Sequence, residues 1–183
     1  DPANSAAMTS VVANRLSPLL SGAARAAFVT RAARAQRVLN DLGAWASVQF
    51  AKLPAEQRVL VTDHQTYSHL ASRYDLEEIS MLDSYTTGGA LKPSSLNAIT
   101  KAVSASGAKV IFSSYLPANK SLRRISKRSG LPIASTPLYG EGIAPGETAV
   151  STATKNVCAI LKGQGASCDQ AAANALATRW KDI

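Results

Sequence analysis

The 183-residue sequence has no apolar run that approaches the ~20 residues needed by a membrane-spanning helix. Its two cysteines, Cys158 and Cys168, form no CxxC pair, which argues against a zinc knuckle and against a thioredoxin-type redox site. A G-x-S-x-G nucleophile elbow, a phosphate-binding P-loop and a G-x-G-x-x-G dinucleotide fingerprint are absent as well. The common hydrolase and nucleotide-binding classes therefore have no signature here.

The chain also lacks an initiating methionine and a recognisable signal peptide, since it starts with DPAN. We expect it to be a processed or truncated piece of a longer protein. A hydrophobic content of 46% with 17% charged residues indicates a globular chain. Its length suits one domain, which buries roughly two thirds of its unfolded surface.

Negative charge is scarce, because 12 aspartates and glutamates stand against 20 lysines and arginines, which gives a formal net charge of +8. Such an excess favours anionic partners in a general way. The densest basic run is 120–128, KSLRRISKR, and it contains no aromatic residue. Proteins that bind nucleic acids usually have aromatic side chains beside the cations, on which the bases stack. We therefore interpret this run as a solvated helix face and expect no nucleic-acid partner.

Short apolar runs alternate with segments of helical spacing through the second part of the chain. This alternation predicts an α/β fold in which a parallel four-stranded sheet is flanked by helices. The predicted strands are 58–62, 78–82, 109–113 and 131–135. We divide the chain into a helical segment at 1–53, which contains a long helix at 23–52, and an α/β lobe at 54–183. The long helix would span about 45 Å, a length typical of an element that links two bodies.

His64 directly follows the first predicted strand, and the carboxyl ends of parallel strands carry the ligand sites of open α/β sheets. A histidine there is either a functional group or an ordinary turn residue. Asp63 is the better candidate for the cap of the next helix, because its carboxylate can accept the free N–H groups of the first turn. His69 is five residues further on, which is not a helical metal-pair spacing, so we interpret it as a surface residue.

Glu141 lies between two glycines in the loop TPLYGEGIAPGE, which follows the fourth predicted strand. At the carboxyl edge of the sheet its carboxylate could reach the same crevice as His64. The alternative is that Glu141 is only a turn residue.

Cys158 and Cys168 flank a glycine-containing turn, KGQG. In a secreted protein the pair predicts a disulfide that joins the last helix to its neighbour and stabilises the fold by roughly 2–3 kcal/mol. In the cytosol the two residues would be unrelated buried thiols.

An ordered set of segments resembles the zinc- and manganese-binding solute receptors of ABC importers, the cluster A-I type. The set is the DPAN start with its long helix, LPAEQRVLVTDHQTYSHLASRYDL, PSSL, KVIFSSYLPANKSLRRISKRSGLPI, LYGEGI and a final helix that ends in LKG. It covers essentially all of residues 1–162 and resembles the C-terminal half of these receptors. The resemblance implies two α/β lobes that are joined by one long rigid helix, with the metal held between them.

The resemblance also implies two metal ligands in this chain. The family's ligand after the first strand of this lobe is usually histidine in zinc-type and glutamate in manganese-type receptors, and here it is His64. The acidic ligand of the last loop corresponds to Glu141, where the family usually has aspartate. Asp63 and Ser114 are expected to support the ligands, although many members have glutamate in place of Ser114. The family's other two ligands are histidines that precede DPAN and are absent here.

The resemblance therefore predicts a receptor that binds a metal ion and performs no catalysis. Zn²⁺ is favoured over Mn²⁺, because imidazole suits zinc and a carboxylate in its place suits the harder manganese. Its expected partners are the ion, the missing N-terminal lobe and an ABC permease in the membrane. The expected location is extracytoplasmic, periplasmic or at the cell surface, with a lipid anchor upstream as one option. Two alternatives stay open on the sequence alone: a small α/β metal-dependent hydrolase and a basic adhesin-like surface protein.

Overall fold

The computed structural model describes residues 1–81 and 93–183, which form seven α-helices and three β-strands. The helices are α1 (Pro2–Leu16), α2 (Gly22–Phe50), α3 (Ser68–Tyr74), α4 (Pro93–Ala105), α5 (Lys120–Ser129), α6 (Ala149–Gly163) and α7 (Gln170–Lys181), and the strands are β1 (Val59–Thr62), β2 (Glu77–Ser80) and β3 (Ile111–Phe112). The sequence also predicts a glycine- and threonine-rich loop at 83–92, and this segment lies outside the described residues. None of the described helices combines the length and the apolar character that crossing a membrane requires.

The two halves of α2 have different surroundings. The helix has 29 residues and is about 44 Å long. Its buried side chains all lie between Ala35 and Phe50, and this half packs on α6 and α7. Residues 22–34 contain no buried side chain, while α1 packs along α2 as the other arm of a helical hairpin. The second half of α2 therefore belongs to the core of the α/β part.

Strand β1 lies at the centre of a parallel sheet with the order β2-β1-β3. All four of its residues are buried, as expected for a parallel strand that is covered on both faces. The α/β class with a parallel sheet is thereby confirmed. Because the strands are parallel, the chain leaves β1 and β3 at the same edge of the sheet.

The prediction of a fourth strand at 131–135 is wrong, because among the described residues the sheet has three strands. Ile133 makes a single β-bridge with Ile111. Two backbone hydrogen bonds accompany it, from Ile111 N–H to Pro132 O (2.9 Å) and from Ala134 N–H to Ile111 O (2.8 Å). Pro132 has no N–H group to donate, so it cannot extend a ladder here.

A buried glutamine joins β1 to β3 at their amino ends. The side chain of Gln164 is completely buried just after α6. Its Nε2 donates to the carbonyl oxygen of Val59, and its Oε1 accepts from the N–H of Lys109 at 3.0 Å. The backbone ladder between the two strands begins only at Val61, so this side chain supplies the connection that the ladder lacks there.

A disulfide connects α6 to the segment that leads into α7. Cys158 and Cys168 are bonded through their sulfur atoms, with their Cα atoms 5.2 Å apart. The buried Gln49 of α2 accepts the N–H of Asp169 at 2.9 Å, so the same segment is also held to α2. Closing a loop of this length stabilises a fold by roughly 2–3 kcal/mol, and such bonds persist in oxidising compartments.

Candidate metal centre

The carboxylate of Asp63 joins the carboxyl ends of β1 and β3. Asp63 is 1% exposed. Its Oδ2 accepts from Ser113 Oγ (3.0 Å) and Ser114 N–H (2.9 Å), and its Oδ1 accepts from Ser114 Oγ (2.9 Å) and His64 N–H (3.1 Å). A buried carboxylate is stable only when its lone pairs are satisfied, and here four donors satisfy them. The result is a fixed distance between the loops that follow the two strands.

The prediction that Asp63 caps the following helix is wrong. Helix α3 begins at Ser68 and has no side-chain cap, while Glu78 of β2 accepts two hydrogen bonds beside its start. Glu78 Oε1 accepts from Tyr67 N–H at 3.0 Å, and Glu78 Oε2 accepts from Ser68 Oγ at 2.9 Å. Asp63 is unavailable as a cap because its oxygens already bind the loop after β3.

Hydrogen bonds hold the backbone of His64 at both its N–H group and its carbonyl oxygen. Its N–H donates to Asp63, and its carbonyl oxygen accepts from Thr62 Oγ1 (2.9 Å) and from Thr66 N–H (3.0 Å). The residue is half-buried. Fixing the backbone at both peptide groups restricts the imidazole to rotation about its own side-chain bonds, which is the kind of pre-organisation that a ligand-binding group needs.

The loop that carries Glu141 is anchored by α6. Asn156 accepts from Tyr139 N–H at 3.1 Å and donates to Tyr139 O at 2.8 Å. On the other side of Glu141, Thr152 Oγ1 accepts from Ala144 N–H at 3.1 Å. The exposed Glu141 therefore lies on a short segment with a fixed support at either end.

The two loops meet at Gly140. A Cβ atom at this position would lie 2.5 Å from Thr66 Oγ1 and 2.8 Å from Thr66 Cβ, which is closer than real Cβ contacts. Glycine is required here because the backbone of the Glu141 loop runs directly against the loop of His64.

His64, Ser114 and Glu141 line one cavity of about 520 Å³ at the carboxyl edge of the sheet. A neighbouring cavity of about 250 Å³ shares Thr66 and Gly140 as lining residues. Neither His64 nor Glu141 lines the smaller cavity. The structure therefore brings the sequence-predicted imidazole and carboxylate to the larger cavity, with Asp63 buried behind it.

Tyr67 lines the smaller cavity next to the site and is 5% exposed. Burial raises the pKa of its phenol far above the usual value, and the carboxylates of Asp63, Glu78 and Glu141 add to the rise. The ring is therefore neutral at any physiological pH, and it brings no negative charge of its own to the site.

The donors in the larger cavity suit a zinc ion in kind but not in number. Imidazole nitrogen and carboxylate oxygen are both common zinc ligands, and zinc sites are usually four-coordinate. Within residues 1–81 and 93–183 no group of three or more His, Cys, Asp or Glu side chains could hold a metal. His64 and Glu141 would thus supply half of a tetrahedral set.

The supporting residues of this site carry no local signal in the sequence. Thr66, Glu78, Asn156 and Gly140 act through partners that are distant in the chain or through a close backbone approach. Position at the carboxyl edge of the sheet made His64 and Glu141 candidates, but it says nothing about what holds them. Only the LYGEGI segment, with a glycine on each side of the glutamate, hinted at a tightly constrained loop.

Comparison with protein families matches residues 1–163 to the family described as zinc-uptake complex component A, periplasmic. Comparison with curated proteins gives no match.

Solved structures of similar fold include three metal- or laminin-binding proteins. The periplasmic zinc-binding protein TroA from Treponema pallidum is 20% identical, with a TM-score of 0.71, and the match covers 85% of this chain and 58% of that one. The laminin-binding protein Lbp of Streptococcus pyogenes is 18% identical, with a TM-score of 0.75 and coverage of 89% and 63%. The Zn(II)-bound form of an AdcAII mutant variant of Streptococcus pneumoniae is 20% identical, with a TM-score of 0.73 and coverage of 90% and 59%. At these identities the likeness establishes the fold, and this chain spans about three fifths of each relative.

Proposed function

Because the chain belongs to the family of the periplasmic zinc-uptake complex component A, we propose that it is one lobe of an extracytoplasmic receptor that binds Zn²⁺ and delivers it to an ABC permease. The observation that carries this proposal is the shared cavity of His64 and Glu141. Their two loops are in contact at Gly140 and Thr66, and the backbone beside each ligand is held by hydrogen bonds. An imidazole nitrogen and a carboxylate oxygen that line one cavity are two donors that Zn²⁺ accepts.

Members of this family are transport binding proteins and not enzymes, so the alternative of a metal-dependent hydrolase is wrong. The cavity agrees with that conclusion on its own chemistry. A hydrolase at this site would draw on Asp63, His64 and Glu141, but the carboxylate of Asp63 is buried and accepts from four donors.

Zinc is the proposed cargo, with manganese as the second choice. An imidazole at the position of His64 is a good ligand for Zn²⁺, whereas an all-oxygen set would suit Mn²⁺ better. Asp63 and Ser114 are proposed to support the ligands, since the Asp63 carboxylate fixes the backbone of His64 and the loop of Ser114 at once. Replacing such supporting partners typically lowers metal affinity about 10–100-fold.

The missing ligands are proposed to come from an upstream lobe that packs on the helical hairpin. Helix α1 exposes an apolar stripe at helical spacing, formed by Met8, Val11, Val12 and Leu16, with exposed fractions of 68%, 61%, 51% and 44%. Exposed apolar patches of this kind mark surfaces that another body covers. The long helix α2, whose first half lies outside the core and whose second half packs into it, is then the link between the two lobes. The proposed divisions of the chain are the helical segment 1–53, which contains this link, and the α/β lobe 54–183.

A competitive titration tests the proposal. In the protein that includes its upstream lobe, here termed the two-lobed protein, Zn²⁺ should bind more tightly than Mn²⁺ in competition with a chromogenic chelator. The isolated 183-residue chain should bind Zn²⁺ much more weakly, since two protein ligands do not close a tetrahedral shell. Tighter binding of Mn²⁺ would reverse the choice of ion, and absence of binding by the two-lobed protein would refute the receptor.

Gly140→Ala in the two-lobed protein should lower the zinc affinity at least tenfold, because the new Cβ forces the Glu141 loop away from Thr66. Gly43→Ala is the matched control, as the nearest atom to its new Cβ is Pro2 Cβ at an ordinary 3.6 Å. Equal affinities of the two variants would show that the contact between the loops does not position Glu141.

A further inference from the structure

The whole net charge of the protein lies in one stretch of sequence. Residues 84–140 contain eight lysines and arginines and no aspartate or glutamate. The other twelve basic residues balance all twelve acidic residues, so the remainder of the chain is formally neutral. The excess of +8 is therefore a local property, and it requires a local explanation.

Helix α5 concentrates this charge on one surface. Lys120, Arg123, Arg124, Lys127 and Arg128 are all exposed, and we term them the basic face. At 100° per residue their side chains occupy a continuous arc of about 140° around the helix. The opposite side is fixed to the core by Leu122 and Ile125, both at 0% exposure. Five cations are thus presented outward by a helix that cannot rotate them away.

The basic face is not neutralised by its surroundings. No ion pair joins any of its five residues to a carboxylate in the described part of the chain. Helix α4, which packs beside α5, adds the exposed Lys101 and has no acidic residue. Solvated helix faces usually mix both signs, because like charges three or four residues apart destabilise a helix. The five like charges of α5 therefore indicate a surface whose partner is anionic.

We propose that the basic face binds the surface of an anionic phospholipid bilayer. The face is broad and of one sign, and helix α5 exposes no apolar or aromatic side chain. It therefore suits a diffuse layer of phosphate groups, and it lacks both the stacking residues that nucleic acids need and the apolar anchor of a protein interface. Each cation near such a membrane adds to the attraction, which decays within a Debye length. The choice of a membrane over other polyanions rests on the extracytoplasmic location proposed above.

Binding of this kind would keep the protein close to the membrane without inserting it. Electrostatic attraction alone is reversible and falls steeply with salt, since no side chain of α5 would enter the hydrocarbon. A receptor confined to the membrane surface meets a membrane permease more often than one that diffuses freely in three dimensions.

Sedimentation with lipid vesicles tests the proposal on the 183-residue chain. We expect binding to vesicles of phosphatidylcholine with 30% phosphatidylglycerol at 50 mM salt, little binding at 300 mM salt, and none to pure phosphatidylcholine. Arg124→Gln/Lys127→Gln/Arg128→Gln should lower the partition coefficient on the order of a hundredfold, since three surface cations are lost. Arg123 is left in place because its guanidinium also donates to the carbonyl oxygen of Ala118.

Arg25→Gln/Arg31→Gln/Arg34→Gln is the matched control, because it removes the same charge from exposed positions of α2. It should keep the partition coefficient within about threefold of the parent. Arg124→Lys/Arg128→Lys should also leave the partition coefficient unchanged, because a diffuse phosphate layer interacts with the charge of a side chain and not with the geometry of a guanidinium group. Equal losses of vesicle binding in both triple variants would refute the proposal that the basic face binds the membrane. Unchanged binding of the α5 variant, or binding of the parent to neutral vesicles, would refute it as well.

Retention of the protein on a sulfated polysaccharide, without any binding to anionic vesicles, would show that the basic face binds another polyanion. Zinc titration of the two-lobed protein with the α5 substitutions separates the two proposals, because its zinc affinity should not change.

Discussion

His64→Ala is expected to reduce the zinc affinity of the two-lobed protein by more than a hundredfold. The substitution removes the nitrogen donor that this lobe contributes, and removing a ligand costs more than the roughly 10–100-fold that losing a supporting partner costs. The imidazole lines the cavity while its backbone is held at N–H and carbonyl, so alanine should leave the loop in place. The effect is therefore a loss of ligation and not of folding, and a competitive zinc titration beside a thermal melt measures both.

His69→Ala is the control for this prediction. It is the other histidine of the chain, it is exposed, and it does not line the cavity of His64 and Glu141. Its zinc affinity should stay within about twofold of the parent. If the two alanine variants bind zinc with comparable affinities, His64 is not a metal ligand, even though the family resemblance implies one at this position.

Asp63→Ala is expected to lower the free energy of unfolding by about 3 kcal/mol and the zinc affinity tenfold or more. The N–H groups of Ser114 and His64 and the hydroxyl of Ser114 lose their acceptor at a partly buried place, where each unsatisfied donor costs about 1 kcal/mol, the lower end of the usual range. Ser113 Oγ keeps a partner, because it also lies 2.8 Å from Tyr115 O. The zinc effect follows because the loops after β1 and β3 lose their common anchor.

Urea denaturation and zinc titration measure the two effects of this substitution. Asp182→Ala is the control, since it makes the same change at an exposed position at the end of α7 and should shift the unfolding free energy by less than about 0.5 kcal/mol. A destabilised Asp63→Ala protein with unchanged zinc affinity would leave Asp63 a purely structural role.

The local parts of the fold were predictable because their signals are short-range. Helix α5 is an example: Asn119 Oδ1 accepts from Leu122 N–H at its start, and Gly130 ends it in the left-handed conformation with φ of 78°. Asparagine and glycine are residues typical of these two positions. The apolar run of β1 was sufficient to place His64 at the edge of the sheet. Propensity and periodicity act within a few residues, and these elements needed nothing more.

The site's supports were not predictable, because their partners are remote in the chain. Asp63 looked like a cap from its neighbours alone, yet its carboxylate binds Ser113 and Ser114, about 50 residues away, and Glu78 of β2 accepts the N–H of Tyr67 just before the helix. The segment 131–135 has the composition of a strand, but Pro132 limits it to one bridge with Ile111. Remote hydrogen bonds decide the role of Asp63, whereas the missing strand follows from a local feature, the absent N–H of Pro132, which composition alone did not reveal.

The two side-chain clamps on β1 and β3 determine how this lobe can deform. The backbone ladder pairs only Val61 with Ile111 and Thr62 with Phe112, which alone would let the strands shear or splay. Gln164 holds them at the amino ends and Asp63 at the carboxyl ends, so sliding in either direction must break a buried hydrogen bond. We therefore expect the two strands to move as a single stiff body, so that the loops of His64 and Ser114 keep their spacing with or without the proposed ion. An opening that releases the proposed ion would then be a displacement of this whole edge relative to what faces it, with the bending located elsewhere in the chain.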